Sequence, residues 1–229
     1  MGSDRSASRT QVGRHRSPTS SGSTKDAILD SAEALFAEAD LASVTMRAIA
    51  EDAEVDPASI TYHFGGKTEL LAAIIRRRYG ILREHRMRAL TRVLAESAES
   101  PTARELLDTV YRPWFELISS GDVGWRSFAK IVAAMPDSPV LHELGRERFG
   151  DWEMTFNAAL SRALPGADEA VIQQAFNLTV GAALFVAAPL RSELVDQEPG
   201  EPTGEVPSYP DFLHFVASGF EGMVSGSGA

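Results

Sequence analysis

Five neighbouring side chains have the chemistry needed to contact DNA. They are Ala58, Ser59, Thr61, Tyr62 and His63. Hydroxyl groups donate or accept hydrogen bonds at base edges, and a small alanine can meet a thymine methyl group. These contacts require one helix that carries the five residues into a DNA groove. The flanking sequence must therefore form that helix and hold it in place.

The stretch from Thr45 to Lys67 has the pattern of two short helices packed across a tight turn. Its apolar residues at helical spacing are Met46, Ile49, Ala50, Ala53, Val55 and Ile60. We expect Thr45 to cap the first helix through the backbone N–H of Ala48, and Asp56 and Pro57 to begin the second. The pattern predicts a helix-turn-helix, although it also suits an ordinary helical pair in an all-α core.

The segments on either side of this stretch are also helical in pattern. Ser23 or Thr24 is expected to cap a preceding helix whose apolar stripe braces the helix-turn-helix. Gly65 and Gly66 make a turn, and a long helix begins at Lys67–Glu69 and continues to about residue 95. The arginines of that long helix are expected to mark a solvated face; they are Arg76, Arg77, Arg78, Arg83, Arg86 and Arg88.

Charge is distributed unevenly along the 229 residues, whose formal net charge is −10. Residues 1–22 are rich in Ser, Gly, Thr and Arg and nearly free of apolar side chains, which predicts a disordered basic tail. Its arginines could contact DNA beside the docking helix, or the tail could simply be solvated. The acidic excess lies further on, notably in residues 193–205. A basic tail on an acidic body is compatible with DNA binding.

Composition excludes several other classes of protein. The chain has no cysteine, which removes disulfides, thiolate nucleophiles and Cys-based zinc sites. No run of 18 or more apolar residues occurs, and a polar N-terminus without an apolar segment behind it predicts a cytoplasmic protein with no membrane partner. Phosphate-binding glycine loops and catalytic motifs are absent, and the five histidines lack metal-ligand spacing. We therefore predict no catalytic residue, metal site or cofactor.

The run from Leu35 to Leu71 resembles the N-terminal DNA-binding region of the tetracycline-repressor (TetR) family of transcriptional regulators. The residues that match the family pattern are Phe36, Thr45, Ile49, Ala50, Ala53, Val55, Tyr62, Phe64, Lys67 and Leu70. The residues that depart from it are Asp40, Glu54, Asp56 and Thr61. Glu54 replaces the glycine of the turn, where a positive φ would strain a non-glycine residue by on the order of 1 kcal/mol.

The resemblance implies a role for each polar residue of the motif. Thr45, Arg47, Tyr62 and Lys67 are placed like the phosphate-contacting residues of the family. The residues placed closest to base edges are Ala58, Ser59, Thr61 and His63. His63 could instead be a cap or a buried hydrogen-bonding residue, and Phe64 is expected in the core.

Beyond residue 100 the sequence is rich in large apolar side chains, and the resemblance implies that this region contains a ligand pocket. An aromatic lining suits an apolar or aromatic small molecule. The predicted pocket residues are Trp114, Trp125, Phe128, Met135, Phe149, Trp152, Phe156 and Phe176. For any one of these residues core packing is the favoured interpretation, whereas some pocket is expected in the region as a whole.

The most apolar helix runs from Ala170 to about Leu190, and a last helix begins near Pro210. Apolar residues on more than one face of the first of these helices suit burial against both its own domain and a partner. The resemblance implies a homodimer that joins through a four-helix bundle, although a central buried helix in a monomer is an alternative. The predicted interface residues are Phe176, Val180, Leu184, Phe212, Phe215 and Phe220.

Together these features predict an all-α protein in which a basic tail (1–22) precedes two domains. A three-helix helix-turn-helix domain spans 23–68, and a helical ligand-binding and dimerisation domain spans 69–225. The expected function is that of a ligand-responsive transcriptional repressor whose partners are double-stranded DNA, a small molecule and a second copy of the chain. The alternative is a helical protein-interaction module without specific DNA binding.

Overall fold

The computed structural model describes residues 23–97, 100–134, 151–187 and 208–226, and every regular element in these ranges is an α-helix. The predicted tail and the predicted pocket residues Met135 and Phe149 lie outside them. The helices are α1 (Thr24–Glu38), α2 (Met46–Asp52), α3 (Pro57–Phe64), α4 (Lys67–Glu96), α5 (Ala103–Ser119), α6 (Val123–Ala134), α7 (Asp151–Ala163), α8 (Glu169–Ala187) and α9 (Tyr209–Gly226). The predicted all-α fold is confirmed.

Local hydrogen bonds explain where α1 and α5 begin. Ser23 and Asp26 form a capping box, in which the Asp26 N–H donates to the Ser23 hydroxyl over 3.3 Å and the Ser23 N–H donates to the Asp26 carboxylate over 3.2 Å. Thr102 and Glu105 repeat this arrangement at the start of α5. Each box satisfies backbone donors that a helix start otherwise leaves without partners.

The N-terminal helices share one apolar core. Ile28 and Phe36 of α1, Ile49 of α2 and Ile60 of α3 are completely buried together. Phe64 is also buried, as its expected core role requires. Since α2 and α3 are only seven and eight residues long, this shared burial rather than intrinsic helix propensity holds them in place.

Helix α4 has 30 residues and spans about 45 Å, so it reaches from the helix-turn-helix into the second half of the molecule. Its arginines do not form the expected solvated face throughout. Arg78 is buried, and Arg77 and Arg86 are largely covered by neighbouring side chains. Arg78 departs from the prediction because it pairs with acidic side chains in the interior, and Arg86 departs from it because it lines an internal cavity.

The second half of the chain packs around α5, which contacts α4, α7 and α9, while α8 and α9 lie against each other. Pro113 lies inside α5 and is buried. Over Glu169–Val186, α8 is long and apolar enough to cross a membrane by length and composition, a test that core helices of soluble proteins also pass. Helix α1 packs most extensively on α6, so the N-terminal helices and the later ones share a broad contact.

Candidate nucleic-acid interface and ligand pocket

The helix-turn-helix forms as the sequence predicts, with a sharp turn between α2 and α3. The Thr45 hydroxyl accepts a hydrogen bond from the Ala48 N–H over 3.1 Å, and the Asp56 carboxylate accepts one from the Ala58 N–H over 2.8 Å. Glu54 has a φ of 55°, the left-handed conformation expected at the position of the family's glycine. This conformation costs a non-glycine residue about 1–2 kcal/mol, so the turn is strained.

Most residues predicted to contact DNA are exposed on the outer side of this motif. The exposed ones are Thr45, Arg47, Ala58, Thr61, Tyr62 and His63, whereas Ser59 is partly buried. The Tyr62 side chain is 86% exposed, which is unusual for a large aromatic group, and its ring meets the His63 ring edge-on at 5.1 Å between centroids. A surface of this kind offers hydroxyl, imidazole and aromatic groups to a ligand that approaches α3.

The two basic residues predicted to bind phosphate have partners within the protein. Arg47 donates to Glu51 over 3.0 Å. This ion pair is exposed and therefore weak, so Arg47 can readily exchange Glu51 for another anion. Lys67 donates to the backbone carbonyls of Leu41 and Val44, the latter over 2.6 Å. The Lys67 ammonium therefore fastens the start of α4 to the α1–α2 connection, a role that the sequence did not indicate.

Exposed acidic residues surround the same surface; they are Glu51, Asp52, Glu54 and Asp56. Carboxylates near a docking helix repel phosphates, whereas basic side chains attract them. Because Asp56 accepts a backbone hydrogen bond as the cap of α3, this acid also has a structural function.

A cluster of charged side chains joins α1, α4 and the start of α6. Glu33 accepts hydrogen bonds from both Arg77 and Arg78, and Arg78 also donates to Asp122 over 3.0 Å. Gly124 brings its backbone against this pair, because a Cβ atom there would lie 1.6 Å from Arg78 Nη2 and 2.2 Å from Glu33 Oε2. The cluster depends on glycine at this position.

The electrostatics of this cluster favour its charged forms. Burial pushes the pKa of Asp122 upwards, but hydrogen bonds from Arg78 and from the Gly124 N–H outweigh burial and hold that pKa below its ordinary value. For Arg78, burial favours the neutral form, and the hydrogen bonds to Glu33 and Asp122 outweigh it, so its pKa is raised. Both groups are thus stabilised as ions by each other.

A cavity of about 230 Å³ lies among α4, α5, α6, α7 and α8. Five predicted pocket residues line it: Trp114, Phe128, Trp152, Phe156 and Phe176. Trp125 is buried but does not line the cavity; its ring packs edge-on against Phe128 and under the Arg78 guanidinium. Val180 and Leu184, predicted at the dimer interface, line the cavity instead.

Polar groups that the sequence did not single out also line the cavity. They are Tyr79, Arg86, Tyr111, Glu153, Asn157 and Gln173. The Tyr79 hydroxyl donates to Glu153 Oε1 over 2.9 Å, and the Tyr111 hydroxyl is hydrogen-bonded to Thr179. Burial raises the pKa of Tyr111 to about 12, against the hydrogen bond to Thr179 and the charge of Arg86, so its phenol stays protonated.

The spacing of α4 contains a signal that could have revealed Arg86. Ile75, Tyr79, Leu82 and Arg86 all line the cavity and recur at intervals of four, three and four residues. This is the spacing of a single helical face. An arginine that continues an apolar stripe is therefore a candidate for the interior, even though arginine side chains are usually exposed.

Helices α8 and α9 present an uncovered apolar face. Leu178 and Phe185 are 63% and 58% exposed on α8, and Phe215 is 71% exposed on α9. On α8 the face continues through Gly181, and on α9 through Gly219 and Gly222, where a Cβ atom would meet nothing within 4 Å. Large apolar side chains displayed together in this way are characteristic of contact surfaces.

The structure corrects part of the predicted interface. Phe212 and Phe220 are only 3% and 1% exposed, because they belong to the stripe of α9 that packs on the rest of the chain. Of the six predicted residues, Phe215 alone is displayed on the α8–α9 face, since Phe176, Val180 and Leu184 line the cavity. Leu178, Phe185 and Met223 are exposed apolar residues of α8 and α9 that the predicted interface did not include.

No group of three or more His, Asp or Glu side chains in the described parts of the chain is arranged to hold a metal ion. The cavity and the helix-turn-helix surface offer two different kinds of binding chemistry. One has aromatic walls with a buried cation, and the other is exposed and polar.

Comparison with known proteins matches the two halves of the chain to two separate family models. Residues 28–74 match the family described as bacterial regulatory proteins, tetR family, and residues 108–219 match the tetracyclin repressor-like C-terminal domain. Together the two matches cover more than half of the chain. No curated protein matches this sequence significantly.

Solved structures share the fold at low sequence identity. A TetR-like transcriptional regulator from Rhodococcus sp. RHA1 is 20% identical, with 89% of this chain and 96% of that chain covered and a TM-score of 0.55. SmeT, the repressor of the Stenotrophomonas maltophilia multidrug efflux pump SmeDEF, is 24% identical over 81% of this chain and 96% of that chain, with a TM-score of 0.55. The multidrug binding protein EbrR, in complex with imidazole, is 19% identical over 89% and 96%, with a TM-score of 0.52. From the two family matches, the chain belongs to the TetR family of bacterial transcriptional regulators.

Proposed function

We propose that the protein is a ligand-responsive transcriptional repressor that acts in the cytoplasm without a membrane partner and without catalysis. In this proposal a homodimer binds a pseudo-palindromic operator and leaves it when a small apolar or aromatic molecule enters the cavity. The observation that carries the proposal is that one chain combines an exposed helix-turn-helix with an aromatic cavity, and α4 contributes to both.

DNA binding is assigned to the outer side of α2 and α3. Thr45, Arg47 and Tyr62 are exposed there and are proposed to contact phosphates. The proposed base-edge residues are Ala58, Ser59, Thr61 and His63. Lys67 is proposed to act chiefly through its carbonyl contacts, which fix the start of α4 relative to the recognition helix.

Dimerisation is assigned to the uncovered face of α8 and α9. Leu178, Phe185 and Phe215 would bury their exposed surface against the same residues of a second copy, as a two-fold symmetric contact requires. The glycines of this face allow close approach of two helix backbones. A two-fold dimer reads two half-sites separated by about one helical turn of DNA or a related spacing.

Ligand control follows from differential affinity. A ligand releases DNA only if it binds more tightly to the conformation in which the two recognition helices do not fit the operator. Helix α4 supplies cavity-lining residues and also begins at the helix-turn-helix, so a displacement of α4 would affect both sites.

The test begins with selection of genomic fragments by the purified chain, followed by affinity measurements over a range of salt concentrations. Arg47→Ala should weaken binding and reduce the slope of log affinity against log salt by about 2, because the dimer loses one phosphate contact in each of its two half-sites. Arg92→Ala is the matched control, because Arg92 is an exposed arginine on α4 away from the motif. Failure to select any fragment would instead favour the protein-interaction module.

The dimer is tested separately by light scattering. Phe215→Glu places a charge on the uncovered face and should yield a folded monomer, whereas Met154→Glu alters an exposed apolar residue of α7 and should leave the dimer intact. A monomeric unmodified chain would refute the assigned interface.

A further inference from the structure

We propose that the cavity is built for a small aromatic carboxylate, whose anionic group binds Arg86. This inference rests on the proposed ligand-binding function and specifies the chemical class of the ligand. It is carried by a guanidinium with unused hydrogen-bond donors inside a cavity whose walls are mainly aromatic and aliphatic.

Arg86 has only part of its hydrogen-bonding capacity satisfied by the protein. Its Nε donates to the Val110 carbonyl over 3.0 Å, while its two terminal nitrogens have no partner among the described residues. The guanidinium lies over the Trp152 ring, with 5.5 Å between its carbon and the ring centroid. A planar guanidinium held in this way can donate two parallel hydrogen bonds to a carboxylate.

Among the described residues, no acidic side chain forms a contact ion pair with Arg86. Glu153 also lines the cavity, but no salt bridge joins it to Arg86, and one of its oxygens accepts from the Tyr79 hydroxyl. Burial lowers the pKa of Arg86, although the guanidinium keeps its charge in proteins. The charge of Glu153 acts on Arg86 without a contact ion pair, so a carboxylate that reaches the guanidinium can form the contact pair that Glu153 does not.

The size and walls of the cavity define the remainder of the ligand. An apolar cavity of about 150 Å³ holds benzene, and this one measures about 230 Å³, which leaves room for one ring and a carboxylate. Trp152 and Phe156 stack at 5.1 Å between centroids and form one wall. Trp114 and Phe128 form another, so the ring would contact aromatic faces while the carboxylate reaches Arg86.

Calorimetry on the full chain without DNA tests the inference with three probes of similar shape: benzoate, benzamide and benzylamine. Benzoate should bind at least tenfold more tightly than benzamide, and benzylamine should bind most weakly. Arg86→Met should abolish the preference for benzoate, and Arg86→Lys should retain part of it. Arg83→Met is the matched control, since Arg83 is exposed on the same helix and does not line this cavity.

Three results would overturn the inference: no binding of any probe, equal or tighter binding of benzamide or benzylamine, or an undiminished preference in Arg86→Met. The comparison of probes on the unmodified chain needs no variant, so misfolding of Arg86→Met would not prevent a decision. Because DNA is absent, failure here is distinct from failure of operator selection, which would overturn the proposed repressor function.

Discussion

Replacement of Gly124 by alanine should destabilise the protein, although alanine normally favours a helix. The new methyl group would occupy the space of Arg78 Nη2 and Glu33 Oε2, which lie 1.6 and 2.2 Å from the position of its Cβ. Both side chains are long and can move, but movement separates a buried ion pair in which the Glu33 side chain is only 3% exposed.

The magnitude follows from two opposing effects. Disruption of a buried ion pair costs about 3–5 kcal/mol, and alanine in place of glycine inside a helix gains about 1 kcal/mol. We expect the free energy of unfolding to fall by about 2–4 kcal/mol, equivalent to a decrease in Tm of roughly 5–15 °C for a chain of this size. Urea and thermal unfolding at one fixed protomer concentration measure both quantities.

Gly80→Ala is the matched control, because Gly80 lies inside α4 with nothing within 4 Å of a Cβ atom. This variant should gain about 0.5–1 kcal/mol. Combination of Gly124→Ala with Arg78→Met should cost less than the sum of the single changes, since the methyl group then meets no guanidinium. If Gly124→Ala and Gly80→Ala proved equally stable, the described contact of Gly124 with the ion pair would be refuted.

Two further predictions concern acidic residues. Glu54→Gly should raise the free energy of unfolding by roughly 1 kcal/mol in urea, because glycine adopts a φ of 55° without strain, although the greater entropy of glycine in the unfolded chain offsets part of this gain. Glu54→Ala keeps the strain and should give no such gain. An equal gain in both variants would refute the strain at Glu54. Asp122→Asn should destabilise the chain at pH 6. Because the folded pKa of Asp122 is lowered, its carboxylate stabilises the fold above the unfolded value of 3.8 and loses that effect as pH falls through the folded pKa, so the difference between the two proteins should shrink below about pH 4. A difference that stays constant in acid would refute the pairing with Arg78.

Local features of the fold were predictable because their causes lie within a few residues. The caps at Ser23, Thr45 and Asp56 each join groups two or three positions apart, and the strain at Glu54 was implied by the resemblance to a family that has glycine at this turn. Such contacts are encoded by adjacent residue types, which a single sequence displays directly.

Interior charges were not predictable from residue type. Arg78 meets Glu33 and Asp122, which lie 45 and 44 positions away, and no local pattern joins them. Arg86 was assigned to a solvated face because arginine is usually exposed, although its spacing from Leu82 and Tyr79 places it on the cavity side of α4. Periodicity was the better guide in that case.

The exposed face of α9 was also not predictable from the sequence alone. Phe212, Phe215 and Phe220 are equally apolar in the sequence, yet only Phe215 lies outside the buried stripe. Distinguishing the two faces of α9 requires knowledge of which side packs on α5 and α8, and that depends on the complete fold.

The packing of α1 on α6 has a consequence for how the molecule opens. The Glu33–Arg78–Asp122 cluster ties the C-terminal half of α1 to the start of α6, and Lys130 of α6 donates over 3.0 Å to the carbonyl of Ala39, the residue that follows α1. Helix α1 thus contacts the ligand-binding half at two points of its C-terminal half, and it packs broadly on α6, although its sequence belongs to the DNA-binding region. In native-state hydrogen exchange the amides of α1 should be protected together with those of α6, while α2 and α3 open as a smaller and less stable unit.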